Sequence, residues 1–243
     1  MRIVATIEAR MTSTRLPGKV LLPCLGRPML DLMIERLRRV PELDDIVIAT
    51  TTNQADDPIE QLCHDLSVSV WRGSEDNVME RVLQAAQNFN ADVIVELTGD
   101  CPLIDPAIVQ HCIHAWLDSG SDYLANCLVR SYPIGMDTQV FWTKTLADAF
   151  SRTTDLNDLE HVSLFIYRHP ELYKLTEVEA SKEHTDPELR LTLDTQDDYR
   201  LISTIFLELY PLNPAFTLDD ILKLLSQKPE LRSLNSHVKH RYV

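Results

Sequence analysis

Along the first half of the chain, short continuous apolar runs alternate with segments in which apolar residues recur at helical spacing. Short β-branched runs predict buried strands at 2–7, 45–51, 67–71 and 91–97. Apolar residues at helical spacing predict helices between these runs, over 30–37, from Asp57-Pro58 onward, over 76–89 and over about 105–118. Strands and helices that alternate at this spacing predict an α/β protein with a mainly parallel, twisted sheet and helices on both faces.

After about residue 120 the regular alternation of predicted strands and helices ends. The pattern there predicts further strands at 122–126, 137–142, 172–180 and 188–194, and helices at 155–168, 196–209 and 217–227. No internal repeat occurs, and six glycines in 243 residues disfavour a flexible linker between independent domains. We therefore predict one domain over residues 1–243, with an inserted subregion at about 127–180.

The net charge of the chain disfavours two classes of binding partner. The chain carries 23 Lys and Arg against 37 Asp and Glu, a formal charge of -14, which disfavours nucleic acids and anionic membranes as partners. Residues 1–40 reverse this balance, since eight basic and three acidic residues give +5 there. A basic segment within an acidic chain indicates a local anion site. The basic residues 237–241 are interpreted as a solvated terminus without function.

The cysteines and the hydropathy suggest a location. No apolar run approaches the roughly 18 residues needed to span a bilayer. The five cysteines are odd in number and form no CxxC pair, which favours reduced thiols in a cytoplasmic protein. The run His111-Cys112-Ile113-His114 is a weak metal-site candidate because it does not complete a tetrahedral ligand set.

A polar loop, ARMTSTRLPGK (9–19), directly follows the first predicted strand. Arg15 can donate to two phosphate oxygens at once and Lys19 adds a mobile charge, so the loop predicts a phosphate cradle. It is not a Walker A loop, because Ser13 stands at the first glycine position and Val20 replaces the magnesium-binding Ser or Thr. A solvated polar turn is the alternative.

Two further strand ends carry carboxylates. Asp100 lies in LTGDCPLIDP (97–106), just past an apolar strand, where ligands of such sheets bind. Asp194 lies in LDTQDD (193–198) and alone would be interpreted as a helix N-cap. A magnesium ion that bridges substrate phosphates needs one or two carboxylates, so the two aspartates together predict a Mg²⁺ site. For Asp105, capping of the next helix is the preferred interpretation.

These three motifs and RGSEDNVMERV (72–82) together resemble the bacterial sugar cytidylyltransferases. The resemblance is strongest to the branch named for spore coat polysaccharide biosynthesis protein F, which is related to the acylneuraminate and 3-deoxy-manno-octulosonate cytidylyltransferases. It extends from residue 1 to about 205 and implies a Rossmann-like nucleotidyltransferase fold. It also implies Mg²⁺-dependent transfer of a cytidylyl group from CTP to a sugar acid or sugar phosphate, with release of pyrophosphate. The product would be an activated sugar for surface polysaccharide synthesis, made by a cytoplasmic homodimer.

The resemblance also implies roles for individual residues. Those expected to act in catalysis are Arg15, Lys19 and Asp100. Those expected to contact the nucleotide are Ile7, Glu8, Ala9, Arg10, Ser13, Arg15, Lys19, Arg72, Asp76, Arg81 and Thr98. The metal ligands would be Asp100 and Asp194. The acceptor side would be lined by Gly135, Asp137, Glu160 and His161, for which ordinary structural roles remain the alternative.

Two other functions are compatible with parts of this pattern. A glycosyltransferase that consumes a nucleotide sugar also places an acidic metal loop on a parallel sheet. Its usual Asp-x-Asp is missing here, since the loop reads Asp100-Cys101-Pro102. A non-catalytic nucleotide-binding module would be expected to lose a cradle cation or a metal aspartate, and none is missing.

Overall fold

The computed structural model describes residues 1–239, and residues 240–243, which include the last two positions of the predicted basic terminus, lie outside the described part. A seven-stranded sheet forms the centre of the molecule, in the order β5-β4-β1-β6-β8-β7-β9. Its strands are β1 (Ile3–Glu8), β4 (Asp45–Thr51), β5 (Ser69–Gly73), β6 (Val93–Thr98), β7 (Tyr123–Ala125), β8 (Gln139–Trp142) and β9 (Leu175–Glu177). A separate short hairpin pairs β2 (Pro23–Cys24) with β3 (Arg27–Pro28).

Most strands run in one direction. β1 pairs in parallel with β4 and β6, and β4 pairs in parallel with β5. Only β8 is reversed, because it is antiparallel to both β6 and β7, and β7 pairs in parallel with β9. The sheet is therefore mainly parallel, as the sequence predicts, and the carboxyl ends of β1, β4, β5 and β6 share one edge.

Helices cover both faces of the sheet, which also confirms the prediction. Their bounds are α1 (Met29–Leu37), α2 (Asp57–Leu66), α3 (Val78–Asn88), α4 (Pro106–Ser119), α5 (Thr143–Arg152), α6 (Leu156–Glu160), α7 (Leu164–Arg168), α8 (Gln196–Leu209), α9 (Leu218–Gln227) and α10 (Pro229–Arg232). The larger core packs α1, α2, α4, α8 and α9 against one face through residues such as Ile7 and Val95. The smaller core packs α3, α5, α6 and α7 against the other face, around Val4 and Ile94.

Two predicted elements are wrong in detail, and one helix was missed. The predicted helix at 155–168 is two short helices, α6 and α7, because Val162 between them takes a left-handed φ of 34°. Helix α5 was not predicted. The segment 188–194 is extended but forms only an isolated bridge between Ile134 and Arg190, because the next amide along, that of Leu193, donates to Asp100 O in a loop.

The predicted insertion contributes to the same sheet. Residues 127–180 contain β8, α5, α6, α7 and β9, and both strands extend the sheet beyond β6. Within residues 1–239, no helix is long and apolar enough to cross a bilayer.

Candidate active site

Lys19 stands at the centre of a charged cluster at the carboxyl edge of the sheet. Its Nζ donates to Asp100 Oδ2 at 2.6 Å and to Asp194 Oδ1 at 2.8 Å. The three residues come from the loops after β1 and β6 and from the segment before α8. The structure thus brings together the lysine and both aspartates that the sequence placed at strand ends.

Arg15 completes this cluster from the same loop as Lys19. Its Nη2 lies 2.8 Å from Asp194 Oδ2. Burial opposes the charge on Lys19, yet Asp100 and Asp194 outweigh it and raise the pKa of Lys19 above its ordinary value. Burial likewise opposes ionisation of Asp194, but Lys19, Arg15 and Arg190 outweigh it and hold its pKa below the usual value. Both pKa directions favour the ionised forms of Lys19 and Asp194 at neutral pH.

Backbone contacts hold the loop over the strand ends. Gly18 takes a left-handed φ of 71° and donates its N–H to Met11 O at 2.9 Å, which closes the loop on itself. The Met11 N–H donates to Asp56 Oδ1 at 2.7 Å, and Asp56 is fully buried. The sequence analysis missed Asp56, and its position just before α2 carries no signal of this distant contact.

The start of the loop rests on a second carboxylate. Thr12 Oγ1 donates to Glu75 Oε1 at 2.6 Å, and an Arg10 nitrogen lies 3.7 Å from the same oxygen. Asn53 Nδ2 donates to Glu75 Oε2 at 3.2 Å. These contacts hold Arg10 at the rim near the ends of β4 and β5. Ser13 beside them is half-buried.

Close packing of β1 and β6 sets the position of Asp100. Gly99 N–H donates to Glu8 O at 2.9 Å, and a Cβ at Gly99 would lie 2.8 Å from that oxygen, so only glycine fits without a shift. Asp100 O accepts the Leu193 N–H at 2.7 Å. This bond ties the Asp100 loop to the segment that carries Asp194, and it uses an amide that a regular strand would pair elsewhere.

The residues predicted to contact the nucleotide differ in how accessible their side chains are. Arg72 is bound within the protein, because it donates to Thr51 O and Asn53 O, both at 2.8 Å, and pairs with Glu60 and Asp57. Arg81 is buried and donates to Ser74 O. Two others, Asp76 and Thr98, are exposed at the rim, whereas Ile7 and Ala9 are buried. The side chain of Arg72 thus supports the β4–α2 connection.

The predicted acceptor-side residues occupy several environments. Gly135 has a φ of 102° and packs against the Leu191 backbone. Asp137 forms an ion pair with Arg130. Glu160 is exposed at the end of α6 and His161 is half-buried just after it. Gly135 and Asp137 therefore have structural contacts of their own, and Gly135 adjoins the segment that leads to Asp194.

Two glutamates lie under the site on the α3 side of the sheet. Glu96 is buried on β6, and its Oε2, like Glu8 Oε1, finds no hydrogen-bond partner among residues 1–239. Desolvation, with the nearby Asp100, raises the pKa of Glu8 to about 8 against the opposing charge of Arg81. Desolvation and Glu8 raise the pKa of Glu96 well above its ordinary value. Sequence analysis missed Glu96 because its strand reads as an apolar run.

The carboxylate pair is suited to a divalent cation that also binds phosphate. No group of three or more His, Cys, Asp or Glu side chains that could hold a metal occurs within residues 1–239, which includes the 111–114 run. Asp100 and Asp194 nevertheless direct one oxygen each at the same atom, Lys19 Nζ. Two carboxylates completed by phosphate oxygens and water are the usual donor set for Mg²⁺. The residues present therefore fit a magnesium ion that arrives with a polyphosphate.

Fold and site together define a class of protein. A mainly parallel α/β sheet binds its ligands beyond the carboxyl ends of its strands. At that edge this protein places two cations, Arg15 and Lys19, from a loop closed by glycine, beside two carboxylates. This arrangement suits a ligand that carries phosphate groups.

Comparison with known proteins identifies the family. A cytidylyltransferase family model matches residues 4–232, so the chain belongs to the cytidylyltransferase family and is a nucleotidyltransferase. It is 36% identical over 234 residues to the spore coat polysaccharide biosynthesis protein SpsF of Bacillus subtilis, covering 94% of this chain and 95% of that one. A 3-deoxy-manno-octulosonate cytidylyltransferase of Geobacter sulfurreducens is 32% identical over 174 residues, which cover 70% of this chain and 63% of that one.

The solved structures agree with this assignment. A cytidylyltransferase from Leptospira borgpetersenii superposes with a TM-score of 0.90 at 33% identity, covering the whole of both chains. A CMP:2-keto-3-deoxy-manno-octonic acid synthetase complexed with CTP gives a TM-score of 0.63 at 18% identity, over 86% of this chain and 99% of that one, and supports the fold. The family resemblance predicted from the motifs is confirmed.

Proposed function

We propose that this protein transfers a cytidylyl group from CTP to a sugar acid or sugar phosphate, with magnesium, and releases pyrophosphate. The convergence of Lys19, Arg15, Asp100 and Asp194 at one sheet edge is the observation that carries the proposal. The relatives support a sugar acceptor, since they include a polysaccharide biosynthesis protein and a 3-deoxy-manno-octulosonate cytidylyltransferase. The product would be an activated sugar for a surface polysaccharide.

The cations of the cradle neutralise the triphosphate. In the structure Lys19 and Arg15 are paired with carboxylates, so an incoming polyphosphate competes for them with Asp100 and Asp194. Lys19 is mostly enclosed while Arg15 is more open, so Arg15 is the more accessible partner for incoming phosphates. Fixed cations stabilise the charge that gathers on phosphoryl oxygens in the transition state.

Asp100 and Asp194 would hold the magnesium ion. When bound, the ion would withdraw charge from the phosphates and the leaving pyrophosphate. The two aspartates that would hold it are fixed independently, Asp100 by the β1–β6 contact and Asp194 by the N-terminus of α8. The free thiols are consistent with the cytoplasm, where we place the reaction, and we propose a homodimer formed through the subregion at 127–180.

The test is a pyrophosphate-release assay with the four common nucleoside triphosphates, Mg²⁺ and a panel of sugar acids and sugar phosphates. CTP should be the preferred donor. Lys19→Ala and Asp100→Ala should each lower kcat by about 10²–10³-fold, the usual cost of removing one charge-stabilising group. Lys223→Ala, on the exposed face of α9, is the matched control and should leave kcat unchanged. Unchanged turnover in both site variants, with folding intact by circular dichroism, would contradict this mechanism.

A further inference from the structure

Arg190, a buried residue that was not among the predicted site residues, contacts Asp194. Arg190 Nη2 donates to Asp194 Oδ2 at 2.5 Å, the oxygen that also accepts from Arg15. The Arg190 side chain is 3% exposed, whereas that of Arg15 is 30% exposed. Arg190 therefore stays in place when a ligand enters, while Arg15 can turn to a phosphate. The other oxygen of Asp194, Oδ1, accepts from Lys19 in this structure and is the one that would face a metal ion.

A second aspartate fixes both Arg190 and the backbone of Asp194. Arg190 Nε donates to Asp198 Oδ1 at 3.0 Å, and Asp198 is completely buried. The other oxygen, Asp198 Oδ2, accepts the N–H groups of Asp194 at 3.1 Å and Thr195 at 2.8 Å. Asp198 is thus the N3 residue of the capping box that begins α8, and it sets the backbone and the side-chain anchor of Asp194 at once.

The C-terminal part of the described chain closes this network. Asn235 is 2% exposed, and its Nδ2 donates to Asp198 Oδ1 at 2.8 Å and to Arg190 O at 3.0 Å. The family match ends at residue 232, so Asn235 lies beyond it. A chain of contacts therefore runs from Asn235 through Asp198 and Arg190 to the carboxylate of Asp194.

We propose that Arg190 and Asn235 are positioning residues that hold Asp194 with one oxygen directed at the metal site. The inference rests on the proposed function, because it assigns Asp194 to a divalent cation bound with CTP. Groups that orient a metal ligand from outside the coordination shell commonly change metal affinity or activity by 10- to 100-fold. A lysine at position 190 would keep the positive charge but lose the two-pronged contact with Asp194 and Asp198.

The test uses Mn²⁺ as a paramagnetic probe with the full-length chain. Water-proton relaxation gives the Kd of Mn²⁺ at saturating CTP, and calorimetry in EDTA gives the Kd of CTP alone. Arg190→Lys should raise the Mn²⁺ Kd by about 10-fold or more. Asn235→Ala removes one hydrogen bond to a backbone carbonyl and one to the Asp198 carboxylate, but no charged side chain, and should raise it by about three- to tenfold. CTP binding in EDTA should change by less than about twofold, since Arg15 and Lys19 are retained.

Two matched controls separate positioning from general stability. Ser236→Ala changes the exposed neighbour of Asn235, and Arg200→Lys makes the same exchange at an exposed arginine of α8. Neither should alter Mn²⁺ binding. The proposal is overturned if Arg190→Lys and Asn235→Ala bind Mn²⁺ like the wild type, or if they weaken metal-free CTP binding equally. If the wild type binds Mn²⁺ with CTP but transfers no cytidylyl group, the proposed reaction is wrong. The Mn²⁺ Kd values of the variants would still test the positioning role of Arg190 and Asn235.

Discussion

At the scale of single residues, two physical rules predict part of the site, and the rest depends on tertiary contacts that the sequence does not show. Lys19, Asp100 and Asp194 could be predicted because ligands meet the carboxyl ends of parallel strands and because polyphosphates need cations and a metal. Asp56 and Arg190 could not, since each acts through a partner distant in space that only the tertiary structure supplies. Asp198 was within reach, because Thr195 and Asp198 have capping-box spacing.

The buried glutamates give a pH prediction. The folded protein keeps Glu8 and Glu96 protonated at pH values where the unfolded chain, with its ordinary pKa of 4.5, has lost both protons. Folding stability should therefore fall as the pH rises from about 4.5 towards 8, the pKa of Glu8. Glu96→Gln removes one of these groups and should flatten this decline. The free energy of unfolding of Glu96→Gln minus that of the wild type should be about 1–3 kcal/mol larger at pH 8 than at pH 5, the scale of an unsatisfied buried polar group.

Urea unfolding followed by circular dichroism between pH 5 and pH 8 measures this effect. The exposed Glu188→Gln provides the control and should keep the wild-type pH dependence. If Glu96→Gln also keeps that dependence, the glutamate is ionised in the folded state and the assigned direction of its pKa is wrong.

At the scale of elements, periodicity predicts the first half of the chain well and the second half less well. The strands β1, β4 and β6 are buried on both faces and read as continuous apolar runs, which makes them easy to recognise. The segment 188–194 has the alternating apolar residues of a half-buried strand, but its Leu191 and Leu193 N–H groups bond to Ile134 O and Asp100 O. Hydrogen bonds to loops cannot be seen in a pattern, so the segment was predicted as a strand.

Gly135 tests how tightly this segment is packed. Its φ of 102° disfavours any side chain, and a Cβ there would lie 2.7 Å from Leu191 C and 2.9 Å from Thr192 N. We expect Gly135→Ala to lower the free energy of unfolding by about 2–4 kcal/mol, because backbone strain and a clash with rigid backbone add. Gly26→Ala is the control, since Gly26 has a φ of 73° with no atom within 4 Å of the added carbon. Its cost should be only about 1–2 kcal/mol.

Chemical denaturation of both glycine variants provides the comparison. A loss for Gly135→Ala no larger than that for Gly26→Ala would show that the 189–192 backbone moves aside easily. In that case the role of Gly135 would be conformational alone, and its contact with the segment before Asp194 would be incidental.

At the scale of the whole molecule, charge and surface have separate roles. The net negative charge lies in residues 41–243, while the +5 of residues 1–40 is only partly the site. Arg15 and Lys19 face the aspartates, but Arg36 is buried and donates to Ile104 O and Phe216 O in the core. Arg36 therefore contributes to the +5 without being part of the site. Net charge thus pointed to a local anion site without distinguishing its members.

The proposed homodimer is the remaining property of the whole molecule. In the subregion at 127–180, Leu128 and Val129 are 37% and 59% exposed. Their N–H groups donate to the Glu177 carboxylate at 3.2 and 3.3 Å, which presents this apolar pair on an anchored loop. Light scattering coupled to gel filtration should give twice the chain mass of 27.8 kDa. A buried charge at a contact centre should weaken the dimer, so Val129→Asp should raise its Kd by about tenfold or more.

The control for this prediction is Leu212→Asp, at a leucine that is 83% exposed after α8 and outside the subregion. It should leave the dimer intact. A wild type with the mass of one chain at micromolar concentration would contradict the dimer. Dissociation by Leu212→Asp but not by Val129→Asp would instead move the interface to the α8 end. Val129 lies on a loop that is hydrogen-bonded to β9. A monomeric mass for Val129→Asp would therefore place the interface in the subregion and not on the helical faces.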